Sequence, residues 1–213
     1  MGLYLAMISG LLFAYLVGAI PTAVWVGRWF YGVDVRKQGS GNAGATNTIR
    51  VLGLKAGIPV LLFDICKGWL AVYLGAMLYP ENMFGEGSLI YYKILLGVLA
   101  VIGHVFPIYV GFKGGKGVAV LVGIIIALFP EAFIVALVIF VVVFVIWRYV
   151  SLASITAALF FPVFDIAVFG QDNKALMLFS LLIAVFVPIT HHKNVRRLLR
   201  GEENRFDFKK KKN

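Results

Sequence analysis

Two glycine-rich polar segments interrupt long apolar runs, and their residue types suit the binding of an anion. The first, residues 39–47, reads Gly-Ser-Gly-Asn-Ala-Gly-Ala-Thr-Asn and is called loop 1. The second, residues 111–117, reads Gly-Phe-Lys-Gly-Gly-Lys-Gly and is called loop 2. Glycine lets backbone N–H groups approach a phosphate closely, and lysine or arginine adds charge-assisted hydrogen bonds. The two loops therefore predict that this chain binds phosphate.

Loop 1 contains a glycine pattern that occurs in dinucleotide-binding folds, but its surroundings differ. Gly39, Gly41 and Gly44 satisfy G-x-G-x-x-G, yet a membrane-length apolar run precedes them instead of a β-strand. A dinucleotide site is therefore excluded, while the same backbone chemistry still favours phosphate. The alternative is a capped re-entrant or interfacial loop with no ligand. The predicted substrate contacts of this segment are Ser40, Gly41, Asn42, Gly44, Thr46, Asn47 and Arg50, the last as a bidentate clamp.

Loop 2 is similar to a nucleotide-binding P-loop without matching it. Gly117 stands where the P-loop has the Ser or Thr that binds magnesium, so nucleoside triphosphate hydrolysis is not indicated. Lys116 lies beside Gly114 and Gly115 at the predicted start of a helix, whose N-terminal dipole favours an anion. We interpret these residues as anion ligands. The alternative is that Lys113 and Lys116 are anchors at the membrane interface.

Three further groups of polar residues lie at the ends of apolar runs. His104 ends one run and is expected either to hydrogen-bond a loop carbonyl or to contact substrate. Ser151 and Ser154 are three residues apart, so they share one face of a helix. The same spacing relates the candidate residues that follow the last apolar run, which are His191, Asn194 and Arg197.

Several known catalytic systems are absent from the sequence. It has no H-E-x-x-H motif, no His/Cys cluster for zinc and no G-x-S-x-G elbow, so neither a metal nor a cofactor is expected. The carboxylates within apolar runs are Asp64 and Asp165. Lys67 follows Asp64 by three residues, and a buried pair that compensates both charges is the simplest interpretation. A conventional general base is therefore not obvious.

Composition indicates a membrane protein. The chain has 213 residues, 61% hydrophobic and 14% charged, whereas soluble domains average about 25% charged residues. Several of its apolar runs approach the roughly 20 residues that cross a bilayer. They predict an all-α polytopic bundle of about seven transmembrane helices, near residues 3–28, 56–79, 89–108, 117–129, 132–147, 152–169 and 175–190.

The distribution of charge predicts an orientation. The net charge is +10, and the basic residues cluster around both glycine loops, residues 148–154 and the C-terminus. The positive-inside rule then places the N-terminus outside and the C-terminus inside, with both loops facing the cytoplasm. Residues 1–200 are predicted to form one integral-membrane domain and residues 201–213 a basic cytoplasmic tail that can contact membrane lipids. No nucleic-acid motif accompanies these charges, so nucleic acid is not an expected partner.

The motifs and their order resemble the bacterial acyl-phosphate:glycerol-3-phosphate acyltransferase family. The matching patterns are GSGNxGATNxxR at residues 39–50, GHxxPxxxGFKGGKGVA at 103–119, RYVSLAS at 148–154 and His-x-x-Asn-x-x-Arg at 191–197. Lys193 departs from the acidic residue that is frequent in this family. The resemblance implies an enzyme of the bacterial cytoplasmic (inner) membrane that acts in phospholipid biosynthesis.

The reaction implied by the resemblance transfers a fatty acyl group from acyl phosphate to the 1-hydroxyl of glycerol 3-phosphate. The products are lysophosphatidate and phosphate, and neither acyl-CoA nor acyl carrier protein is the direct donor. The resemblance also implies that Ser40, Lys116 and Ser154 surround the acyl-phosphate group. Arg50, His191 and Asn194 would hold glycerol 3-phosphate or orient its hydroxyl.

Two questions stay open at this level. The leaving phosphate could accept the hydroxyl proton, or His191 could act as general base. The chain could also be a membrane transporter of an organic phosphate or a lipid-binding scaffold. Against a transporter, the candidate ligands lie at one membrane face, and no internal repeat is visible.

Overall fold

The computed structural model describes residues 2–79 and 87–206, and these residues form helices and connecting loops with no strand. The predicted all-α class is confirmed. The chain divides into two compact units, an N-terminal unit, Met1–Leu128, and a C-terminal unit, Phe129–Asn213. The prediction of one domain over residues 1–200 stays a prediction. The α-helices are α1 Gly2–Ala19, α2 Thr22–Tyr31, α3 Ala45–Leu52, α4 Leu54–Ala76, α5 Ser88–Val105, α6 Val118–Leu128, α7 Pro130–Trp147, α8 Val150–Val163, α9 Lys174–Thr190 and α10 His192–Leu199.

Helix length and composition give four to six candidate membrane spans in the described residues. Four helical segments are long and apolar enough alone, and two bent pairs, α1 with α2 and α9 with α10, raise the number to six. The predicted run at 117–129 forms α6, whose 11 residues extend only about 16 Å, against roughly 30 Å of hydrocarbon. The count of seven and the orientation stay predictions. The acidic loop residues Glu81 and Glu86, and residues 207–213 of the predicted tail, lie outside the described residues.

The first predicted run, residues 3–28, is not one straight span. It is broken between Ala19 and Thr22, where the axes of α1 and α2 differ by 44°. Pro21 explains the break, because proline has no N–H to donate and disfavours helical geometry in the preceding residue, Ile20. Periodicity of apolar residues does not reveal such a break, since apolar residues continue through it.

In the N-terminal unit α4 is the central helix, packing against α1, α3, α5 and α6. Its contact with α6 depends on two glycines. A Cβ on Gly68 would overlap the backbone oxygen of Val120, and a Cβ on Gly123 would overlap that of Ile65. Small residues allow membrane helices to approach closely, which is how the short α6 is held against α4.

Both ends of loop 1 are fixed by burial. A small core combines Ala23 of α2, Val35 before the loop, Ala45 where the last residues of the loop begin α3, and Val60 of α4. Val35 and Val60 have no exposed surface. Because the chain is anchored on either side, the polar residues between these two points are confined to a short segment.

In the C-terminal unit α8 packs against α7 and α9, and α10 packs against α8 and α9. The chain after α10 returns to the α7–α8 connection. The N–H of Phe206 donates to the oxygen of Arg148 at 2.7 Å, and the Phe206 ring contacts Phe144 edge-on. The described beginning of the predicted tail is therefore packed against this unit.

We expect Gly123→Ala to destabilise the protein. The added methyl group meets the backbone of α4, which cannot move aside as a flexible side chain would, and overpacking costs about 1–3 kcal/mol. The matched control is Gly87→Ala, where a Cβ would meet no atom within 4 Å. The thermal unfolding midpoint of the purified protein in detergent measures the effect. Equal midpoints for the two variants would contradict the packing described for α4 and α6.

Candidate active site

Loop 1 is organised by the side chain of Asn47, which is 2% exposed. Its Oδ1 accepts a hydrogen bond from the N–H of Ser40 at 2.8 Å. Its Nδ2 donates to the backbone oxygens of Val35, Gln38 and Asn42 at 2.8, 3.1 and 3.0 Å. One amide thus satisfies four backbone groups. The predicted substrate contact of Asn47 stays a prediction, while its observed contacts hold the loop.

Two glycines of loop 1 adopt backbone conformations that favour glycine over other residues. Gly39 and Gly41 have φ angles of 60° and 73°, a region that residues with a Cβ rarely adopt. Gly44 then precedes α3 directly, so the first N–H groups of this helix follow the loop. Ser40 at the loop and Arg50 on α3 are exposed. A helix N-terminus beside such a loop is suited to an anion.

Loop 2 folds back onto the end of α5. The N–H of Gly115 donates to the oxygen of His104 at 3.2 Å, and that of Gly114 donates to Val105 at 3.1 Å. These two N–H groups therefore have partners inside the protein. A Cβ on Gly115 would overlap Nε2 of His104, so close packing explains this glycine. The substrate contacts predicted for Gly114 and Gly115 stay predictions.

Lys116 lies at the junction of loop 2 and α6. It is half-buried, while Lys113 is exposed. Gly117 follows Lys116 with φ 80°, and its oxygen accepts the N–H of Leu121 in the first turn of α6. The predicted helix start is confirmed. The ammonium therefore belongs to a residue next to a helix N-terminus, where negative charge is favoured.

An arginine just before loop 1 is hydrogen-bonded to loop 2 and to the residue that precedes loop 2. Arg36 donates through Nη1 to the backbone oxygens of Val110 and Lys113 at 2.9 and 3.2 Å. Its Nε and Nη2 form a bidentate pair with the carboxylate of Asp34 at 3.0 and 2.8 Å. These hydrogen bonds hold the pKa of Asp34 well below its usual range despite burial, and the carboxylate raises the pKa of Arg36. Sequence reasoning missed this bridge, because its ends are 74 residues apart.

In the C-terminal unit Glu203 connects three polar residues, two of them predicted site residues. Its Oε1 accepts hydrogen bonds from Asn194 Nδ2 at 2.7 Å and from Ser151 Oγ at 3.1 Å. Its Oε2 pairs with Nε of Arg197 at 2.7 Å. Burial raises the pKa of Glu203, but hydrogen bonds from Arg197, Asn194 and Ser151 outweigh it and leave that pKa below its ordinary value. Sequence reasoning missed Glu203; an acidic residue inside a basic tail was the available signal.

His191 is 5% exposed at the bend between α9 and α10. Its Nδ1 lies 2.8 Å from the backbone oxygen of Val187. A carbonyl oxygen only accepts, so Nδ1 carries the proton, and Nε2 of the neutral ring is then the basic nitrogen. Ser154 is buried on α8, three residues after Ser151.

The positions of the predicted site residues fall into two groups, each within one unit. The N-terminal unit holds Ser40, Gly41, Asn42, Gly44, Thr46, Asn47, Arg50, His104, Gly114, Gly115 and Lys116. Arg36, three residues before loop 1, binds the backbone oxygen of Lys113 in loop 2 within the same unit. The C-terminal unit holds Ser154, His191, Asn194 and Arg197, and Glu203 binds the last two of these directly.

The chain is similar to known proteins over nearly its full length. The family model described as glycerol-3-phosphate acyltransferase matches residues 8–201. A glycerol-3-phosphate acyltransferase of Fusobacterium nucleatum is 42% identical over 205 residues, covering 96% of this chain and 100% of the relative. A protein of the same name from Chlorobium phaeobacteroides is 40% identical over 230 residues, with 96% of this chain and 98% of the relative covered.

Solved structures agree with these relatives. A crystal structure of PlsY, an integral membrane glycerol 3-phosphate acyltransferase in its glycerol 3-phosphate form, superposes with a TM-score of 0.82 at 36% identity. That match covers 94% of this chain and 96% of the other. The lysophosphatidic acid form gives a TM-score of 0.79 at 36% identity, covering 95% and 96%. The similarity confirms the predicted integral-membrane helical fold.

We expect Glu203→Gln to destabilise the C-terminal unit in a pH-dependent way. The pKa of Glu203 in the folded state lies below its unfolded value of about 4.3. The carboxylate therefore stabilises the fold above that pH. This stabilisation is lost as the pH falls through the folded-state pKa. At neutral pH in detergent, Glu203→Gln should have a lower unfolding midpoint than wild type. Its free energy of unfolding should be smaller by about 1–3 kcal/mol. The difference should shrink below about pH 4.

The matched control for this prediction is the exposed neighbour Glu202. Glu202→Gln should leave the unfolding midpoint near that of wild type across the same pH range. A Glu203→Gln difference that is constant with pH, or that Glu202→Gln reproduces, would contradict the assigned role of the Glu203 carboxylate.

Proposed function

The chain belongs to the glycerol-3-phosphate acyltransferase family, and we propose that it transfers a fatty acyl group from acyl phosphate to the 1-hydroxyl of sn-glycerol 3-phosphate. The products are 1-acyl-glycerol 3-phosphate, which is lysophosphatidate, and inorganic phosphate. The observation that carries the proposal is the near full-length similarity to proteins of this name, including structures of a glycerol 3-phosphate form and a lysophosphatidic acid form. The proposed location is the bacterial inner membrane, with the reaction on the cytoplasmic side.

The geometry of loop 1 supports binding of a phosphorylated substrate. Its backbone is fixed by Asn47, which leaves the exposed Ser40 and the start of α3 in a defined arrangement. Preorganised donors stabilise developing charge without reorganising during the reaction. Arg50 on α3 and Lys116 before α6 are the cations proposed to bind phosphate oxygens.

The proposed reaction needs little help from a protein base. The hydroxyl oxygen of glycerol 3-phosphate attacks the acyl carbon, and the bond from that carbon to the phosphate oxygen breaks. Acyl phosphate is an activated mixed anhydride, so phosphate leaves readily and can accept the proton lost by the hydroxyl. Positive groups beside the tetrahedral oxyanion lower the barrier further. The competing route takes this proton to Nε2 of His191.

Residue roles beyond these rest on the family resemblance. Ser40, Lys116 and Ser154 are proposed to contact the acyl-phosphate group. His191 and Asn194 are proposed to hold glycerol 3-phosphate or to orient its hydroxyl. Glu203 would position Asn194 for this role, because it accepts the hydrogen bond from the amide nitrogen. The remaining contacts proposed for substrate are Gly41, Asn42, Gly44, Thr46, Asn47, His104, Gly114, Gly115 and Arg197.

The direct test is an assay with purified protein in detergent. Synthetic acyl phosphate and glycerol 3-phosphate are added together, and phosphate release and lysophosphatidate are measured in the same samples. We expect equal amounts of both products, with none when either substrate is omitted. Replacing acyl phosphate by acyl-CoA or acyl carrier protein should give no lysophosphatidate. Glycerol 3-phosphate uptake by vesicles without acyl transfer would instead support a transporter.

Lys116→Ala should reduce turnover by roughly 10- to 100-fold, because a hydrogen bond from a charged group is typically worth about 1.5–3 kcal/mol. The matched control is Lys113→Ala, which removes an exposed ammonium from the same loop and should have a smaller effect. Size-exclusion profiles and unfolding midpoints check that both variants are folded. Turnover of folded Lys116→Ala near the wild-type value would refute the role of this lysine.

The two proton acceptors predict different pH profiles. If phosphate accepts the proton, His191→Gln should keep residual activity, and wild-type kcat should show no steep limb near the ordinary histidine pKa of about 6.5. The measurement is kcat against pH for wild type and His191→Gln at saturating substrates, after pre-steady-state kinetics have shown that chemistry limits the rate. A wild-type limb near that pH that disappears in the variant, with nearly all turnover lost, would identify His191 as the base.

A further inference from the structure

A buried ion pair lies at the centre of the N-terminal unit. Asp64 Oδ1 and Lys67 Nζ are 2.7 Å apart on α4, and both side chains are 1% exposed, which confirms the pairing predicted from their spacing. Removing two charges from water costs free energy, and apolar residues of similar volume usually stabilise a protein equally well or better. Stability alone therefore does not explain the pair. Ionisable residues inside a membrane-spanning helix instead indicate a functional requirement.

The lysine of this pair reaches the break between α1 and α2. Lys67 Nζ donates to the backbone oxygen of Ile20 at 2.7 Å, where α1 has ended. On the other side of Pro21, Thr22 Oγ1 donates to Asp64 Oδ1 at 3.0 Å. The pair thus binds one residue on each side of the break. It fixes the direction in which α2 leaves α1.

The direction of α2 determines where loop 1 begins. The N–H of Val33 donates to the oxygen of Gly27 at 2.9 Å, which ties the chain before loop 1 to the second half of α2. Val35 then packs against Ala23 and Val60 in the small core that anchors the loop. A change in the direction of α2 would therefore shift the start of loop 1.

The aspartate of the pair also faces the end of α5. Nδ1 of His104 on α5 lies 3.9 Å from the same Oδ1 of Asp64, which is beyond hydrogen-bond distance but places the ring directly beside the pair. The oxygen of His104 accepts the N–H of Gly115, and its ring leaves no space for a Cβ on that glycine. The His104 ring therefore lies between the ion pair and loop 2.

We propose that Asp64 and Lys67 are positioning residues that set the conformations of both glycine loops, through Thr22 and Ile20 on one side and His104 on the other. The kinetic consequence of this inference rests on the proposed function, while its structural consequence does not. The competing explanation is that each charge only neutralises the other. In that case any neutral or oppositely arranged pair would leave the loops unchanged.

The first experiment measures the loops without using activity. Single cysteines replace Gln38, just before loop 1, or Phe112 of loop 2, both exposed, in a Cys66→Ser background. Their rates of reaction with a maleimide are measured in detergent. The pair is then neutralised by the combined changes Asp64→Leu and Lys67→Met. We expect labelling at both positions to become several-fold faster, in protein that stays monodisperse.

The matched control exchanges the charges, combining Asp64→Lys with Lys67→Asp. This variant keeps two opposite charges three residues apart, but it places a carboxylate where Lys67 donates to Ile20. Charge compensation alone predicts wild-type labelling for the exchanged pair. The positioning role predicts fast labelling, as in the neutral pair.

Two milder variants test the two sides separately and remain informative if the double variants do not fold. Thr22→Val removes the hydrogen bond from the α1–α2 break to Asp64. This variant should speed labelling at position 38 more than at position 112. His104→Gln acts on the other side and should show the reverse preference. Wild-type labelling at both positions in both variants, or the same increase at both, would overturn the proposal.

Steady-state kinetics distinguish misplaced loops from a simple loss of folded protein, because the two affect KM differently. Misplaced phosphate ligands should raise KM for both substrates and lower kcat, and a displacement of about 1 Å can cost roughly 100-fold in rate. A smaller folded fraction would lower the apparent kcat and leave KM unchanged, which would count against positioning. If wild-type protein shows no acyl transfer, the proposed function fails. The labelling rates then still decide whether the pair positions the loops.

Discussion

In a chain that crosses a bilayer, backbone N–H and C=O groups near hydrocarbon must find partners inside the protein. The two glycine loops meet this constraint differently. Asn47, at the end of loop 1, satisfies backbone groups of this loop and of the residues just before it, whereas loop 2 is hydrogen-bonded to the end of α5 and to Arg36. In the C-terminal unit the Glu203 carboxylate has a comparable role for polar side chains. The positions of the proposed substrate ligands follow from these few polar side chains.

Local sequence features predicted much of this structure. Apolar runs located most of the helices, because a run of that length has to be buried in lipid or in protein. The three-residue spacing of Asp64 and Lys67 placed them on one helix face, and the structure pairs them. Pro21 was present in the sequence as a possible helix break, but the apolar run continues on both sides of it. The run was therefore predicted as one span, whereas the structure bends it between α1 and α2. Glycine positions also indicated both loops, although residues 45–47 of loop 1 form the first turn of α3 and Gly115 is required by packing against His104.

The contacts that sequence reasoning missed are those between distant residues. Ser151 and Glu203 are 52 residues apart, and Arg36 is 74 residues from Val110. Helical periodicity relates only neighbours of about one turn, so it cannot indicate which distant polar groups share a partner. Asn47 shows the same limit at shorter range. Its amide was expected to contact substrate, yet only the folded loop reveals that one side chain can reach four backbone groups.

The net charge of the chain is +10, and its acidic residues order several of the cations that this charge comprises. In the described residues carboxylates hold several cations in place: Arg28 and Arg36 by Asp34, Lys67 by Asp64, and Arg197 by Glu203. A long side chain that has to be ordered at each turnover costs about 1.5–2 kcal/mol of conformational entropy. Cations and loops that are already fixed avoid this cost when charge develops on a reacting group. In the proposed function these carboxylates would favour anion binding indirectly, because they restrict groups around the proposed site although their own charge opposes an anion.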